Sequence, residues 1–128
     1  DSIDWTEGWS GSVTNAYISH TVAGFSTVFE GDKDNANPTF TNITAISTVG
    51  GTGLQFKKES GATISGLSLV GYDVDLDLKD NGALSNVQID GATADAVLYA
   101  GETNKYKLNS GNDDLPLDTS RWSWIRAY

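Results

Sequence analysis

Oxygen-bearing side chains crowd one short stretch, EGDKDNANP, in which Glu30, Asp32, Asp34, Asn35 and Asn37 fall close together. Carboxylate and amide oxygens at this density suit a hard cation such as Ca²⁺ better than Zn²⁺. Asp32, Asp34 and Asn35 are therefore the candidate metal ligands, set against the plainer reading of a solvated loop. Asp113, Asp114 and Asp118 in NDDLPLD form a weaker second cluster. Asp73, Asp75 and Asp77 spell D-x-D-x-D, yet the Gly and the later Glu of an EF-type loop are missing. Their alternation with Val74, Leu76 and Leu78 predicts a strand with a wet acidic face.

Other chemistry has thinner support. His20 is the single histidine, too few for a His-rich metal site, and no GxSxG elbow supplies a nucleophile for it. The basic residues Lys33, Lys57, Lys58, Lys79, Lys105, Lys107, Arg121 and Arg126 are scattered along the sequence, which argues against a polysaccharide lyase or hydrolase. The chain is read as having no catalytic residues. Trp5, Trp9, Trp122, Trp124 and Tyr128, with Tyr99 and Tyr106, offer flat rings for stacking on sugars or for an interface; the plainer reading makes them end caps. Asn42-Ile43-Thr44 spells a glycosylation sequon but reads better as a corner of the backbone.

Such residues must be positioned by short strands. The frame VTNAYI begins at residue 13, FTNITA at 40, ISGLSL at 64 and LSNVQI at 84. Aligned on Asn15, Asn42, Gly66 and Asn86, the residue two before is Val13, Phe40, Ile64 or Leu84. The residue after is Ala16, Ile43, Leu67 or Val87, and the third after is Ile18, Ala45, Leu69 or Ile89. Second strands follow at Leu54–Phe56 and Val74–Leu78, with Val97, Leu98 and Tyr99 at a similar offset. Between them lie turn clusters such as GGTG and KDNGA, rich in residues that accept positive φ. No amphipathic helical period is sustained. Hairpin folds do not require like residues at like offsets; stacked coils do, because each inward side chain sits over its counterpart about 4.8 Å away.

The expected fold is therefore all-β: a short right-handed parallel β-helix of four to five coils with Trp-bearing terminal caps, with a β-sandwich as the alternative. Residues 1–128 form one domain, with an N-terminal cap over 1–12, coils over 13–102 and a C-terminal cap over 103–128. The 128 residues carry a net charge of −9 and a pI of about 4.2, which disfavours nucleic-acid and anionic-membrane partners. No apolar run is long enough to span a bilayer as a helix. The chain has no Cys, so neither disulfides nor thiolate sites are expected. A chain that begins at Asp1 rather than Met reads as a mature secreted protein or a piece of a longer one.

Asp4 to Gly8 (DWTEG), Pro38 to Thr44 (PTFTNIT), Gly51 to Leu54 (GTGL) and Lys58-Glu59 before Gly61 form a recognisable series. It resembles a family of secreted bacterial β-helix surface proteins of Bacteroidota and marine type, with Lys58 where Arg is expected. The resemblance covers roughly residues 1 to 100. It implies the β-helix fold and an extracellular or outer-surface location, and transfers no catalytic residue. The expected role is structural: a rigid face presented for adhesion, matrix or fibre assembly, through self-association or contact with other cell-surface proteins. The alternative is a carbohydrate-binding module, or a remnant of a polysaccharide-active β-helix, with polysaccharide as partner. Ca²⁺ is the one cofactor considered.

Overall fold

Apolar side chains repeated at matching offsets bring successive strands into register, and that register builds the fold. The structure is a computed structural model and describes residues 1–109. Strands β1 (Ile3–Thr6), β3 (Thr27–Asp32), β5 (Thr52–Lys57) and β7 (Val74–Lys79) lie parallel in one sheet. Strands β2 (Ser12–His20), β4 (Thr39–Ser47), β6 (Ala62–Val70) and β8 (Val87–Ile89) lie parallel in a second. The chain alternates between the sheets, so each strand pair makes one coil. Parallel neighbours joined this way define a parallel β-helix and exclude the sandwich. The stack makes about three full turns, the short parallel β-helix expected. Its first strand begins at Ile3, inside the segment read as an N-terminal cap.

The core is a set of columns. Ile3, Phe29, Leu54 and Leu76 share one, and Trp5, Gly31, Phe56 and Leu78 share the next. On the other sheet Val13, Phe40 and Ile64 align, as do Ala16, Ile43 and Leu67, and Ile18, Ala45 and Leu69. Phe29, Phe40, Ile43, Leu54, Phe56, Ile64 and Leu76 are fully buried. Gly31 makes room in its column: a Cβ there would lie 2.8 Å from the Trp5 ring. The indole thus reaches past one coil and packs on Phe40, Phe29 and Phe56, with ring centroids 5.2, 5.9 and 5.8 Å away. Aromatic pairs at such spacing add about 0.5–1.5 kcal/mol each beyond their area burial.

The fourth unit departs from the sequence frame. Ile89, not Leu84, stands below Ile64, and Val87 stands below Ala62. Leu84–Asn86 form a single 3-10 turn, so Leu84 and Asn86 leave the columns assigned to them. The Asn86 amide instead donates to the Glu59 carbonyl of the coil above at 2.9 Å. Val97 and Leu98 do not continue the coil either. They belong to β10 (Ala96–Leu98), which runs antiparallel to β11 (Lys105–Leu108), and β11 runs antiparallel to β7. A two-residue strand, β9 (Ala92–Thr93), closes the second sheet antiparallel to β8.

Asp75 and Asp77 correct a further expectation, because both are buried rather than on a wet face. Alternation fixes the side a residue faces but not what lies over that side. Here Asp77 accepts from the amides of Gln55, at 3.1 Å, and Asn104, at 2.8 Å. Asp75 accepts the Leu108 backbone N–H at 2.8 Å. These carboxylates tie the antiparallel segment to the last coil, and their hydrogen bonds offset the cost of burying them.

Left-handed backbone turns recur in register. Asn15, Asn42 and Gly66 follow one another down the second sheet at φ 62°, 60° and 70°. The Asn42 amide donates to the Asn15 amide oxygen at 2.7 Å, and its left-handed backbone makes it the corner that the sequence suggested in place of a glycosylation site. Beyond the ends of β1, β3, β5 and β7, the residues Glu7, Lys33, Lys58 and Asp80 form another such column, at φ 59°, 59°, 58° and 51°.

Candidate functional site

The second left-handed corner carries a cluster of charged side chains. Positive φ at each strand end turns the backbone sharply out of the sheet, and the parallel register brings one such turn under the next. Register also pairs Asp32 with Lys57 and Lys57 with Lys79. Half of the eight basic residues, Lys33, Lys57, Lys58 and Lys79, thereby converge on one edge, although they are scattered in sequence.

Each of three lysines takes a carboxylate from the coil above. Lys33 reaches Glu7 at 2.6 Å, Lys58 reaches Asp32 at 3.1 Å, and Lys57 hydrogen-bonds Glu30. The hydrogen bond that Lys33 donates to Glu7 raises the Lys33 pKa, and the one that Lys57 donates to Glu30 raises the Lys57 pKa. The Lys58 hydrogen bond lowers the Asp32 carboxyl. These shifts keep Lys33, Lys57 and Asp32 charged through the neutral range, as fixed donors and an acceptor rather than proton carriers. Beside the pairs a groove of about 470 Å³ is lined by Lys33, Asp34, Lys58, Glu59, Asp80 and Asn81. A second groove of about 420 Å³ continues from Asp80 and Asn81 to Asn104 and Tyr106.

The residues singled out in sequence are placed as follows. Asp32 holds Lys58, Asn35 accepts the Asn37 backbone N–H at 3.1 Å, and Asp34 lines the first groove. Among the described residues, the carboxylates that gather within 4.8 Å of one another are instead Asp1, Asp4 and Glu30. Asp1 already accepts the Thr27 hydroxyl and Glu30 already holds Lys57. Trp5 lies inside the core, only 6% exposed, so its ring offers no stacking platform. Trp9 is 40% exposed and leans on Trp5 and Phe40 as an outer lid. Tyr106 is half-buried at the lower groove. Trp122, Trp124 and Tyr128, with Asp113, Asp114 and Asp118, lie outside the described residues.

His20 is a staple between coils. Its ring stacks on Phe25, centroids 3.7 Å apart, while its nitrogens contact the Ser2 hydroxyl at 3.0 Å and the Tyr72 hydroxyl at 2.9 Å. Desolvation lowers its pKa. Sequence reading missed the lysine corner altogether. Glu7, Lys33 and Lys58 are not residue types that announce positive φ, and only the coil length, read as an alignment of charges, could have brought them together.

Comparison with known proteins agrees with this architecture. The family described as a pectate-lyase-like β-helix domain matches residues 1–121. No curated protein and no solved structure gives a significant match. With nearly the whole length matched and the coils in parallel register, the chain belongs to the pectate-lyase-like β-helix domain family.

Proposed function

We propose that this chain is a non-catalytic, extracellular β-helix module that presents its left-handed corner to polysaccharide. The observation carrying this reading is the pair of grooves, lined mainly by charged and amide-bearing residues, that share Asp80 and Asn81 and run from coil to coil along that corner. A polymer lying along the helix axis meets a repeated set of donors and acceptors, one set per coil rise. Amino, amide and carboxylate groups suit sugar hydroxyls, and Tyr106 supplies a ring at the lower end. Family membership supports a carbohydrate partner. Affinity electrophoresis through gels cast with a panel of polysaccharides tests the reading. Retardation by at least one polymer, weakened by Tyr106→Ala and by Asn81→Ala, is the expected result; unretarded migration in every gel refutes it.

A second reading, assembly through the first coil, has its own observation. Val13, Ala16, Ile18 and Ile3 are only partly covered, whereas their column partners Phe40, Ile43, Ala45 and Phe29 are fully buried. Among the described residues no strand pairs the outer edges of β1 and β2. Open edges and half-covered apolar positions favour addition of a further strand layer. Sedimentation over a range of concentrations should then show self-association that Ile18→Lys abolishes.

A further inference from the structure

We propose that the corner selects neutral, hydroxyl-rich glycans and rejects polyuronates. The inference rests on the polysaccharide reading above and names the class of polymer within it. The charge inventory of the upper groove decides the matter. Its lining offers two lysines, Lys33 and Lys58, against three exposed carboxylates, Asp34, Glu59 and Asp80. Both lysines are already committed, to Glu7 and to Asp32. Counting those partners, two cations face five anions. A polymer with one carboxylate per sugar would bring like charges against Asp34, Glu59 and Asp80 and find no uncommitted ammonium in the upper groove. Recruiting Lys33 or Lys58 would first require breaking an ion pair that spans two coils.

A neutral sugar faces no such conflict. Carboxylates accept from hydroxyl groups, as they do from any O–H donor, and the charge on the acceptor strengthens the bond. Asn81 and Asn104 donate and accept at once, matching the dual character of a hydroxyl. The lower groove is charge-balanced: Lys79 stands with Asp80, and Asn81, Thr103, Asn104 and Tyr106 supply the uncharged polar contacts that suit hydroxyl groups. The whole chain, at net charge −9, adds a long-range field of the same sign.

The experiment compares galactan, xylan, mannan and mixed-linkage glucan with polygalacturonate and alginate. Binding is measured by affinity electrophoresis and calorimetry in the presence of a chelator, so that no divalent cation bridges acid to acid. At least one neutral polymer should bind about tenfold or more tightly than either polyuronate in dilute buffer. That affinity should also survive about 0.5 M salt, where exposed charge interactions are screened. Tighter binding of a polyuronate overturns the inference while leaving the polysaccharide reading intact. Failure of every polymer to bind overturns both. A gain-of-function arm reverses the charge at the two exposed acids. Glu59→Lys with Asp80→Lys should admit polygalacturonate, and Lys58 shows that lysine occupies this backbone column. A double variant with unchanged denaturation midpoint and no gain of polyuronate binding also overturns the inference.

Discussion

Gly66→Asn should stabilise this protein. Gly66 follows Asn15 and Asn42 in register and shares their left-handed conformation, at φ 70° beside their 62° and 60°. Asparagine accepts that conformation more readily than other residues with a side chain. Replacing glycine where the native backbone suits the new residue removes freedom from the unfolded chain, a gain of about 0.4–1 kcal/mol. The new amide would stand one coil below Asn42, as Asn42 stands one coil below Asn15, whose oxygen it reaches at 2.7 Å. One further bond in that ladder contributes about 0.5–1 kcal/mol at an exposed site. The Gly66 backbone N–H, which donates to the Asp90 carboxylate at 3.0 Å, is kept. The sum is about 1–2 kcal/mol, or roughly 3–8 °C in Tm for a domain of this length.

Urea denaturation followed by far-UV circular dichroism reads this as a higher midpoint at constant slope. Gly66→Ala is the control. It gains the same chain entropy but pushes a Cβ into left-handed backbone at a cost of about 1–2 kcal/mol, with no amide to offset it. Asn42→Ala should lose about 1–3 kcal/mol, since it adds the same strain and removes the existing bond. If Gly66→Asn proves no more stable than Gly66→Ala, the stacked amide column makes no contribution and the reasoning is wrong.

Further consequences are open to direct measurement. Ile64→Ala should cost about 2–5 kcal/mol, whereas Val13→Ala, in the same column but only partly covered, should cost about 1 kcal/mol; equal losses would mean the first coil is covered in solution. Asp77→Ala leaves the Gln55 and Asn104 amides without their buried acceptor and should cost about 2–4 kcal/mol, against less than about 0.5 kcal/mol for exposed Lys79→Ala. Burial raises the Tyr72 phenol, so the unfolded chain ionises first: stability should hold below about pH 10 and fall above it, a slope Tyr72→Phe removes. His20 has the opposite sense, its lowered pKa making stability complete above about pH 6.5 and decreasing as pH falls below it, a dependence absent from His20→Gln. Lys58→Asn should raise the denaturation midpoint, because asparagine accepts the left-handed backbone at φ 58° more readily than lysine, yet weaken polysaccharide retardation, separating what the corner does for binding from what it does for folding.

The columns were legible in sequence wherever packing alone set residue type. Phe40 over Ile64, Ile43 over Leu67 and Leu54 over Leu76 are apolar for one reason, and the repeat exposes it. The frame failed at its fourth copy because LSNVQI imitates the pattern while the chain spends Leu84–Asn86 on a 3-10 turn. The true partner, Ile89, is followed by Asp90-Gly91, an equally good corner by spelling, and nothing local ranks one above the other. The burial of Asp75 and Asp77 was invisible for a different reason: their cover, Asn104 and Leu108, arrives some thirty residues later as an antiparallel segment that breaks the repeat. Trp5 read as a surface aromatic because Gly31, whose missing side chain admits the indole, lies a full coil away. The candidate site was least legible of all. Its charges converge only through register, and sequence shows lysines at 33, 57, 58 and 79 as isolated points.

Energetics favour the proposed reading of that corner as a binding surface over a purely structural seam. A left-handed backbone costs an ordinary L-residue about 1–2 kcal/mol, and of the column Glu7, Lys33, Lys58 and Asp80 only the last is a type that tolerates it. Gly or Asn would serve the turn better, and the amide column on the opposite sheet uses just those residues: Asn15, Asn42 and Gly66. Exposed ion pairs between long side chains offset little of that strain, because they give up rotamer freedom and solvent screens them. Stability alone therefore favours the Asn and Gly solution at both corners, and this chain adopts it at one. Backbone strain retained where a less strained residue would fit is characteristic of positions that do something besides hold the chain together. Long charged side chains at the strained corner project from the coil edges, where they leave the inward columns undisturbed. The core fixes the coil spacing, the left-handed turns convert that spacing into a row of outward side chains, and the identities along the row are left to be set by what binds there.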